Sequence, residues 1–423
     1  MGSRLQCPHC LSAFPLEAFR ATCTCGALLD VWHDPPAVAP SELASRFQAR
    51  LAAGTALRSE SPGIWRFREL VLPDAIESVV SLREGNTPLY RDPKVSSFAA
   101  VDQLWLKHEG LNPTGSFKDR GMTVAVSFAR QMGFLALLCA STGNTAASLA
   151  AYGAQAGLPV VVLAPRGKVA AGKIVQTLAF GAHVIEIDGD FDDALRLALQ
   201  ICSDRQLALL NSVNPFRIEG QKTAAFEIAE SFGWDVPEWV VLPAGNLGNL
   251  SAYGKAFEEM VRWGLLSRLP RLAAIQAEGA NPFYLSYRSG FAERPVVKAK
   301  TVATAIRIGS PASFERAVRA ILVSNGVVEQ VSDDEILEAK RTIDRSGIGC
   351  EPASAAALAG VRKLRRQGVI RASDRVVAVL TGSLLKDPEA ALHAARAGQA
   401  QVVVSASETE VRQALEKALE AAR

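Results

Sequence analysis

The sequence predicts an α/β protein with two doubly wound open-sheet lobes and a small cysteine-rich ribbon at its N-terminal end. Short apolar runs alternate with periodic helical segments through the middle of the chain, a pattern typical of parallel sheets. Two of these runs end in turns of small polar residues, 141–145 and 244–249, that lead directly into a helix. Four cysteines gather in the first segment and predict the ribbon.

Length and composition are sufficient for two large lobes. The 423 residues are 49% hydrophobic and 21% charged, which is typical of a globular protein with a sizeable core. A stretch rich in proline and alanine follows the cysteines. We divide the chain into a Cys-rich ribbon-like segment, 1–35, a large α/β lobe, 36–110 with 236–423, and a small α/β lobe, 111–235.

Charge and hydropathy exclude several function classes. The net charge is +3, from 46 basic and 43 acidic residues, and this balance gives no support for binding to nucleic acid or to a membrane surface. No apolar run approaches 18 residues, so no transmembrane helix is expected, and the first residues lack the apolar region of a secretory signal. We therefore expect a cytoplasmic protein with reduced thiols.

The N-terminal cysteines have the spacing of a metal site. Cys7 and Cys10 are separated by two residues, and Cys23 and Cys25 by one. Four thiolates at this spacing could bind one structural zinc ion and hold together a segment too small to fold alone. The second pair is tighter than the usual C-x-x-C, so a metal-free ribbon is the alternative.

The elements can be followed along the chain from the apolar periodicity. Helices are predicted at 41–57, 122–132, 146–156, 173–180, 192–201 and 220–232. Strands are predicted at 101–106, 135–140, 160–163, 184–187, 239–243, 272–277, 326–331 and 376–380. A polar loop is predicted at 211–217, and Ser332 is expected to cap a helix.

Lys118 lies between a predicted strand and a predicted helix. Ligands of open α/β sheets bind at the carboxyl ends of the strands, and a helix start lowers the proton affinity of an ammonium group. Lys118 is therefore suited to act as a neutral amine, which can form a Schiff base with a carbonyl cofactor. The alternative is that Lys118, Asp119 and Arg120 are a solvated surface triplet.

The two polar turns can hold ligands. The turn at 141–145 presents N–H groups and hydroxyls at a helix start. Glycine and asparagine at 245–249 allow the positive φ angles of an anion-binding nest, although some such loops are only tight turns. This loop lacks the Gly-Lys-Ser/Thr of a P-loop, which disfavours a nucleoside triphosphate.

A series of sequence blocks resembles the threonine synthase family, pyridoxal-phosphate enzymes of the tryptophan-synthase-β fold type (fold type II). The blocks are EGNTPL at 84–89, NPTGSFKDRGM at 112–122, STGNTAAS at 141–148, NSVNPFR at 211–217, PAGNLGN at 243–249, TVATAIRIG at 301–309 and EPASAAALAG at 351–360. The lysine and glycine loops recur across fold type II and indicate the cofactor. NSVNPFR, TVATAIRIG and EPASAAALAG are narrower and favour threonine synthase over threonine dehydratase or cysteine synthase.

The resemblance implies pyridoxal 5′-phosphate as the cofactor, bound covalently by Lys118. Phe117 is expected near its ring, Asn144 at its 3′ oxygen and Thr381 at its pyridine nitrogen. The backbone of five residues is expected to hold the cofactor phosphate: Gly245, Asn246, Leu247, Gly248 and Asn249.

The substrate implied by the resemblance is O-phospho-L-homoserine, which would lose phosphate by γ-elimination and add water at the β carbon to give L-threonine. Arg217 suits the substrate phosphate, because a planar guanidinium can donate two hydrogen bonds to it. The same pocket is expected to include Thr145, Asn211, Ser212 and the side chain of Asn246, and the turn with Ser141 and Thr142 is expected to bind the carboxylate. Arg217 in a surface ion pair and Thr145 as a helix cap are the alternatives.

Other readings of the family resemblance stay open at this point. A cysteate synthase would use phosphoserine, a threonine dehydratase has no substrate phosphate, and a non-catalytic relative would only bind ligands. A homodimer is common for this fold and is expected here. The chain also departs from the family, since relatives often read TGHGLKDP where this sequence has TGSLLKDP at 381–388, with Ser383 and Leu384 at the changed positions.

Overall fold

The computed structural model describes residues 2–53, 63–72, 76–166, 171–189, 191–202, 206–396 and 403–421. Its strands are β1 (Ser3–Gln6), β2 (Ala13–Phe14), β3 (Asp30–His33), β4 (Leu89–Tyr90), β5 (Gln103–His108), β6 (Ala136–Ala140), β7 (Val160–Pro165), β8 (His183–Ile187), β9 (Leu207–Leu209), β10 (Trp239–Pro243), β11 (Arg271–Ala277), β12 (Val327–Val331) and β13 (Arg375–Leu380).

The first helices are α1 (Pro40–Ala53), α2 (Arg68–Val71), α3 (Pro93–Ala99), α4 (Lys118–Gln131), α5 (Asn144–Ala156), α6 (Ala171–Ala179), α7 (Phe191–Ile201) and α8 (Pro215–Gln221). The remaining helices are α9 (Thr223–Ser231), α10 (Gly248–Arg262), α11 (Pro282–Arg288), α12 (Phe314–Val323), α13 (Asp333–Arg345), α14 (Pro352–Arg366), α15 (Pro388–Arg396) and α16 (Glu408–Ala421). Within the described ranges, none of the helices has the length and hydropathy needed to span a bilayer.

The larger sheet has six strands in the order β12-β11-β10-β13-β5-β4, all parallel except β4 at the edge. Strand β10 is a continuous apolar run because helices cover both faces of the sheet. Helix α13 is capped by Ser332, as predicted, in a capping box with Glu335.

The smaller sheet has four parallel strands in the order β8-β7-β6-β9, and an antiparallel sheet, β2-β1-β3, forms the N-terminal ribbon. The predicted α/β fold with two open sheets and a ribbon is confirmed. The boundaries of the three predicted units stay a prediction. The six-stranded sheet takes its strands from 36–110 and 236–423, and the four-stranded sheet from 111–235.

One predicted element was wrong. The expected polar loop at 211–217 and single helix at 220–232 are instead two short helices, α8 and α9, that meet at Lys222. Helix α8 begins early because Asn214 accepts a hydrogen bond from the N–H of Phe216 and Pro215 occupies the first helical turn. Arg217 is therefore on a helix. The end of the helix predicted at 41–57 lies outside the described residues.

A buried ionic cluster lies beneath the lysine loop. Arg120 is fully buried and donates to Glu109 at 2.5 Å and to Glu227 at 2.7 Å, while Lys107 donates to Glu227 at 2.6 Å. Asp119 is also fully buried. The alternative of a solvated Lys-Asp-Arg triplet is therefore wrong, and the cluster joins β5, α4 and α9 into one support for the loop.

A second buried ionic cluster joins the ribbon to both lobes. It contains His33 of β3, Glu219 of α8, Lys222, and Lys255 and Glu259 of α10. The Nε2 atom of His33 lies 2.7 Å from Glu219, Lys255 lies 2.6 Å from Glu219, and Lys222 lies 2.7 Å from Glu259. Burial lowers the pKa of His33 to about 4, so its ring is neutral at pH 7.

Candidate active site

The site forms where three neighbouring strands of the larger sheet end. Because β5, β13 and β10 are adjacent and parallel, their carboxyl ends bring together the loops that carry Lys118, Thr381 and Gly245. The N–H of Phe117 donates to the carbonyl of Thr381 at 3.0 Å, which fixes the lysine loop to the end of β13.

Lys118 is half-buried at the first position of α4, with its Nζ atom 4.0 Å from the centroid of the Phe117 ring. The loop before it is held by Asp119, which accepts hydrogen bonds from the N–H and hydroxyl of Thr114 and from the hydroxyl of Ser148, at 2.6–2.7 Å.

The pKa of Lys118 is lowered to about 7. Burial is the main cause, the guanidinium of Arg217 lowers it further, and the carboxylate of Glu351 opposes the change. Near pH 7 a substantial fraction of Lys118 is therefore a neutral amine, which is the nucleophilic form.

The glycine loop at 245–249 is shaped to receive an anion. Leu247 has a left-handed φ of 65° and is followed by α10, whose first N–H groups have no side-chain cap. A Cβ on Gly245 would lie 2.8 Å from the Cα of Ile306, so the close approach of that segment requires glycine. In the described part of the chain, the Nδ2 of Asn249 and the hydroxyl of nearby Ser313 are buried without a partner.

Asn246 joins the two sheets across the site. Its Nδ2 donates to the hydroxyl of Ser212 at 2.6 Å, and its Oδ1 accepts from the N–H of Ala312 at 2.7 Å. Ser212 and Asn246 are 34 positions apart in the sequence and were predicted to line the same pocket, and in the structure they are hydrogen-bonded to each other.

The smaller sheet contributes two turns because β6 and β9 are neighbours. Helix α5 begins at Asn144, and its cap position is Gly143, so the alternative that Thr145 caps the helix is wrong. Ser141, Thr142 and Thr145 are all partly exposed at this helix start. The amide of Asn211 accepts a hydrogen bond from the N–H of Ala140 and donates one to its carbonyl, both at 2.9 Å, and so holds the two strand ends together.

Arg217 is completely buried, which rules out the surface ion pair considered for it. Its Nη1 donates to the carbonyl of Leu210 at 3.1 Å, whereas Nε and Nη2 have no partner among the described residues. Burial lowers the pKa of Arg217 to about 10, but the side chain stays charged at neutral pH. A buried cation with two unpaired donors is costly unless an anion completes its hydrogen bonds.

Sequence reasoning missed Glu351 and Ser354. The amide of Asn144 donates to Glu351 at 3.1 Å, and burial raises the pKa of this carboxyl group. The hydroxyl of Ser354 lies 3.0 Å from that of Thr381. Both residues belong to the block at 351–360. The sequence signal that could have identified Glu351 is its position as an acidic residue directly before a proline that begins a helix.

Comparisons with known proteins agree with this arrangement. Residues 80–382 match the family model described as pyridoxal-phosphate dependent enzyme. The chain is 46% identical over 388 residues to a threonine synthase of Methanosarcina acetivorans, covering 91% of this chain and 92% of the relative. It is 43% identical over 391 residues to a threonine synthase of Methanocaldococcus jannaschii, covering 92% and 94%. The chain belongs to the threonine synthase family.

The fold of this family member is also that of a solved relative. The crystal structure of threonine synthase from Escherichia coli superposes with a TM-score of 0.69 at 18% identity, covering 95% of this chain and 93% of that one. Membership of the threonine synthase family makes the chain a pyridoxal-phosphate enzyme, as the resemblance implied. The amine of Lys118 and the unpaired donors at 245–249 fit the aldehyde and the phosphate of that cofactor.

The departure from the family at 383–384 lies against the lysine loop. The N–H of Ser383 donates to the carbonyl of Gly115 at 2.9 Å. The side chain of Leu384 packs over Gly349, where an added Cβ would lie 3.3 Å from it. Ser383 therefore supports the lysine loop through its backbone, whereas Leu384 packs against the segment before Glu351.

Proposed function

We propose that this chain converts O-phospho-L-homoserine to L-threonine by γ-elimination of phosphate and addition of water at the β carbon. The observation that carries the proposal is the buried guanidinium of Arg217, which keeps two unpaired donors close enough to Lys118 to lower its pKa. Arg217 provides a second anion position, separate from the glycine loop. The hydroxyl of Ser212 and the amide of Asn246 stand at the same junction of the two sheets.

Each residue of the site has a defined task in this proposal. Pyridoxal phosphate, when bound, withdraws electrons from the substrate carbon that carries the amino group. Lys118 would hold the cofactor through its amine and would then move protons at the α and β carbons of the substrate. Arg217 binds the phosphate and stabilises its departure, since a guanidinium stabilises the charge that develops on the leaving oxygen.

The groups around the ring and the substrate carboxylate are also assigned. We propose that Thr381, with Ser354 beside it, offers neutral hydroxyls to the pyridine nitrogen, and that Phe117 lies near the ring. Asn144, held by Glu351, would point its amide at the 3′ oxygen. The turn that contains Ser141 and Thr142 would bind the carboxylate, and Thr145 would line the phosphate pocket with Ser212 and Asn246. Asn211 positions these turns through Ala140, and the second N–H of its amide is left for the phosphate pocket.

Product analysis tests this proposal against the related reactions. We expect purified protein with the cofactor to release phosphate from O-phospho-L-homoserine and form threonine, and to act far more slowly on O-phosphoserine or on threonine itself. A threonine dehydratase would leave the two donors of Arg217 without a function, because its substrate has no phosphate. Preferred turnover of phosphoserine would assign a cysteate synthase instead, and preferred deamination of threonine would assign a dehydratase.

We also propose a cytoplasmic homodimer. Dimers are common for this fold, and none of the seven cysteines forms a disulfide, as a reducing compartment favours. Sedimentation velocity at micromolar concentration measures the mass of the species in solution, and a monomer would contradict the dimer. Fractionation of the source cells tests the location.

A further inference from the structure

Four sulfur atoms meet at one end of the ribbon, far in sequence from every residue assigned to the reaction. The Sγ atoms of Cys7 and Cys25 lie 3.5 Å apart, as do those of Cys10 and Cys23. All four Sγ atoms lie within 4.8 Å of one another. A zinc ion with Zn–S bonds of about 2.3 Å in a tetrahedron requires sulfurs about 3.8 Å apart, so the cluster has nearly the size of the ion's coordination shell.

We propose that Cys7, Cys10, Cys23 and Cys25 bind one structural zinc ion. Binding exchanges four thiol protons for Zn²⁺ and leaves a closed site of four thiolates, with no open position for catalysis. An all-sulfur tetrahedral set selects zinc or an iron–sulfur centre and disfavours magnesium and calcium, which prefer oxygen.

The two turns have the form that such a site needs. In the first turn the N–H of Cys10 points at the Sγ of Cys7, at 3.4 Å. In the second turn the N–H of Gly26 donates to the carbonyl of Cys23 at 3.0 Å, and Gly26 has a φ of +89°. This left-handed glycine allows the tight Cys23–Cys25 pair to aim both sulfurs at one point.

Two disulfides are the chemical alternative for the same four residues. A disulfide requires sulfurs about 2.05 Å apart, and both close pairs are at 3.5 Å. Each sulfur also has more than one sulfur neighbour within the cluster, which suits a shared central ion and not two isolated bonds. The other group of potential ligands, His33, Glu219 and Glu259, is already filled by the ammonium groups of Lys222 and Lys255.

The zinc site has a consequence for substrate binding, and this part rests on the proposed function. The ribbon is too small to be stable alone. His33 of its last strand contacts Glu219, two residues beyond Arg217 on α8. The ring of Phe19 stacks on that of Phe216, immediately before Arg217, with centroids 5.2 Å apart. We infer that zinc, by fixing the ribbon, also fixes the helix that presents Arg217.

Metal analysis of the purified holoenzyme tests the site directly. We expect about one zinc ion per chain after dialysis against metal-free buffer, with sulfur neighbours at about 2.3 Å by X-ray absorption. Exchange with Co²⁺ should give the strong visible absorption of a tetrahedral thiolate complex. Wild-type protein without zinc, an iron–sulfur spectrum, or disulfides joining these cysteines in alkylated and digested protein would each overturn the proposal.

Matched variants separate this site from other metal binding. Cys10 and Cys25 are exposed, so Cys10→Ser and Cys25→Ser should lose zinc without replacing a buried side chain. Cys202→Ser changes a thiol outside the cluster and should keep it. One zinc ion per chain in purified Cys10→Ser would show that the assignment of the zinc ligands is wrong. If the variants do not fold, the absorption measurements on wild-type protein still decide the matter.

Kinetics tests the connection to α8. We expect Cys10→Ser with bound cofactor to raise KM for O-phospho-L-homoserine by about tenfold and to weaken inhibition by inorganic phosphate similarly, a change of about 1.4 kcal/mol. Loss of zinc with KM and phosphate inhibition unchanged would refute the connection and leave the site standing. A wild-type enzyme that holds zinc but does not turn over this substrate would refute the proposed reaction and not the zinc site.

Discussion

The substitution Arg217→Met separates a catalytic from a structural role for the buried guanidinium. Its Nε and Nη2 have no protein partner among the described residues, so the substrate phosphate would receive two charge-assisted hydrogen bonds from them. Such bonds contribute about 1.5–3 kcal/mol each, so losing both costs about 3–6 kcal/mol. At about 1.4 kcal/mol per tenfold, kcat/KM for O-phospho-L-homoserine should fall about 10²- to 10⁴-fold.

The same substitution, Arg217→Met, should leave the folded protein as stable as wild type or more stable, although it lowers activity. Burial holds the pKa of Arg217 down to about 10, which corresponds to a cost of about 3 kcal/mol for keeping the charge buried among protein groups alone. Methionine removes that cost and loses only the hydrogen bond to Leu210, worth about 1 kcal/mol. The apoenzyme of Arg217→Met should therefore melt at the same temperature as wild type or higher.

Phosphate-release kinetics and calorimetric melting, run on the same preparations, check both expectations. Arg217→Lys keeps the charge but loses the paired donors, so its activity should be intermediate. Arg319→Met makes the same chemical change at an exposed position and should leave kcat/KM unchanged. A marked fall in the melting temperature of Arg217→Met, with activity within threefold of wild type, would show that the reasoning is wrong.

Three further changes probe the cofactor site. Lys118→Ala should abolish borohydride-stable labelling by the cofactor. In wild-type apoenzyme, the rate of cofactor attachment, followed by absorbance, should rise with pH through about 7, because only the neutral amine of Lys118 reacts. A rate that is independent of pH between 6 and 8 would contradict this. Thr381→Asp should divert product toward transamination, because a carboxylate keeps the pyridine nitrogen protonated, and an unchanged product spectrum by chromatography would remove the idea. Gly245→Ala should weaken cofactor binding at least tenfold in equilibrium dialysis, since the added Cβ would meet Ile306 at 2.8 Å; undiminished affinity would mean that the loop can shift freely.

The position of the site could be predicted from the sequence because strand ends are marked there. Apolar runs end at Ala140 and Pro243, and the structure ends β6 and β10 at those residues. The polar turns that follow carry Asn144 and Asn246, whose amides bond Glu351 and Ser212 in the site. Lys118 could be placed at a helix start from the turn residues before it. These signals are local in the sequence. The turns come close together in space because neighbouring parallel strands have their carboxyl ends at the same edge of the sheet.

The pairing of side chains could not be predicted, because it depends on contacts distant in the chain. The sequence treated Asn211 as a substrate ligand, but the amide of this residue bonds Ala140 of the neighbouring strand. Glu351 was missed since its task depends on Asn144, 207 positions earlier. Likewise, the NSVNPFR block does not reveal that Nε and Nη2 of Arg217 lack partners among the described residues, because that depends on which groups other helices and strands bring near the guanidinium.

The buried ion pairs next to Arg217 hold α8 in a fixed position against α10. Glu219 pairs with Lys255, and Lys222 pairs with Glu259, all of them largely buried. Separating the partners of a buried pair costs about 3–5 kcal/mol, so a hinge motion that pulls α8 from α10 is too costly to repeat in every catalytic cycle. Arg217 is accordingly held on a helix that cannot easily move relative to α10, so the donors of its guanidinium are positioned before a phosphate arrives.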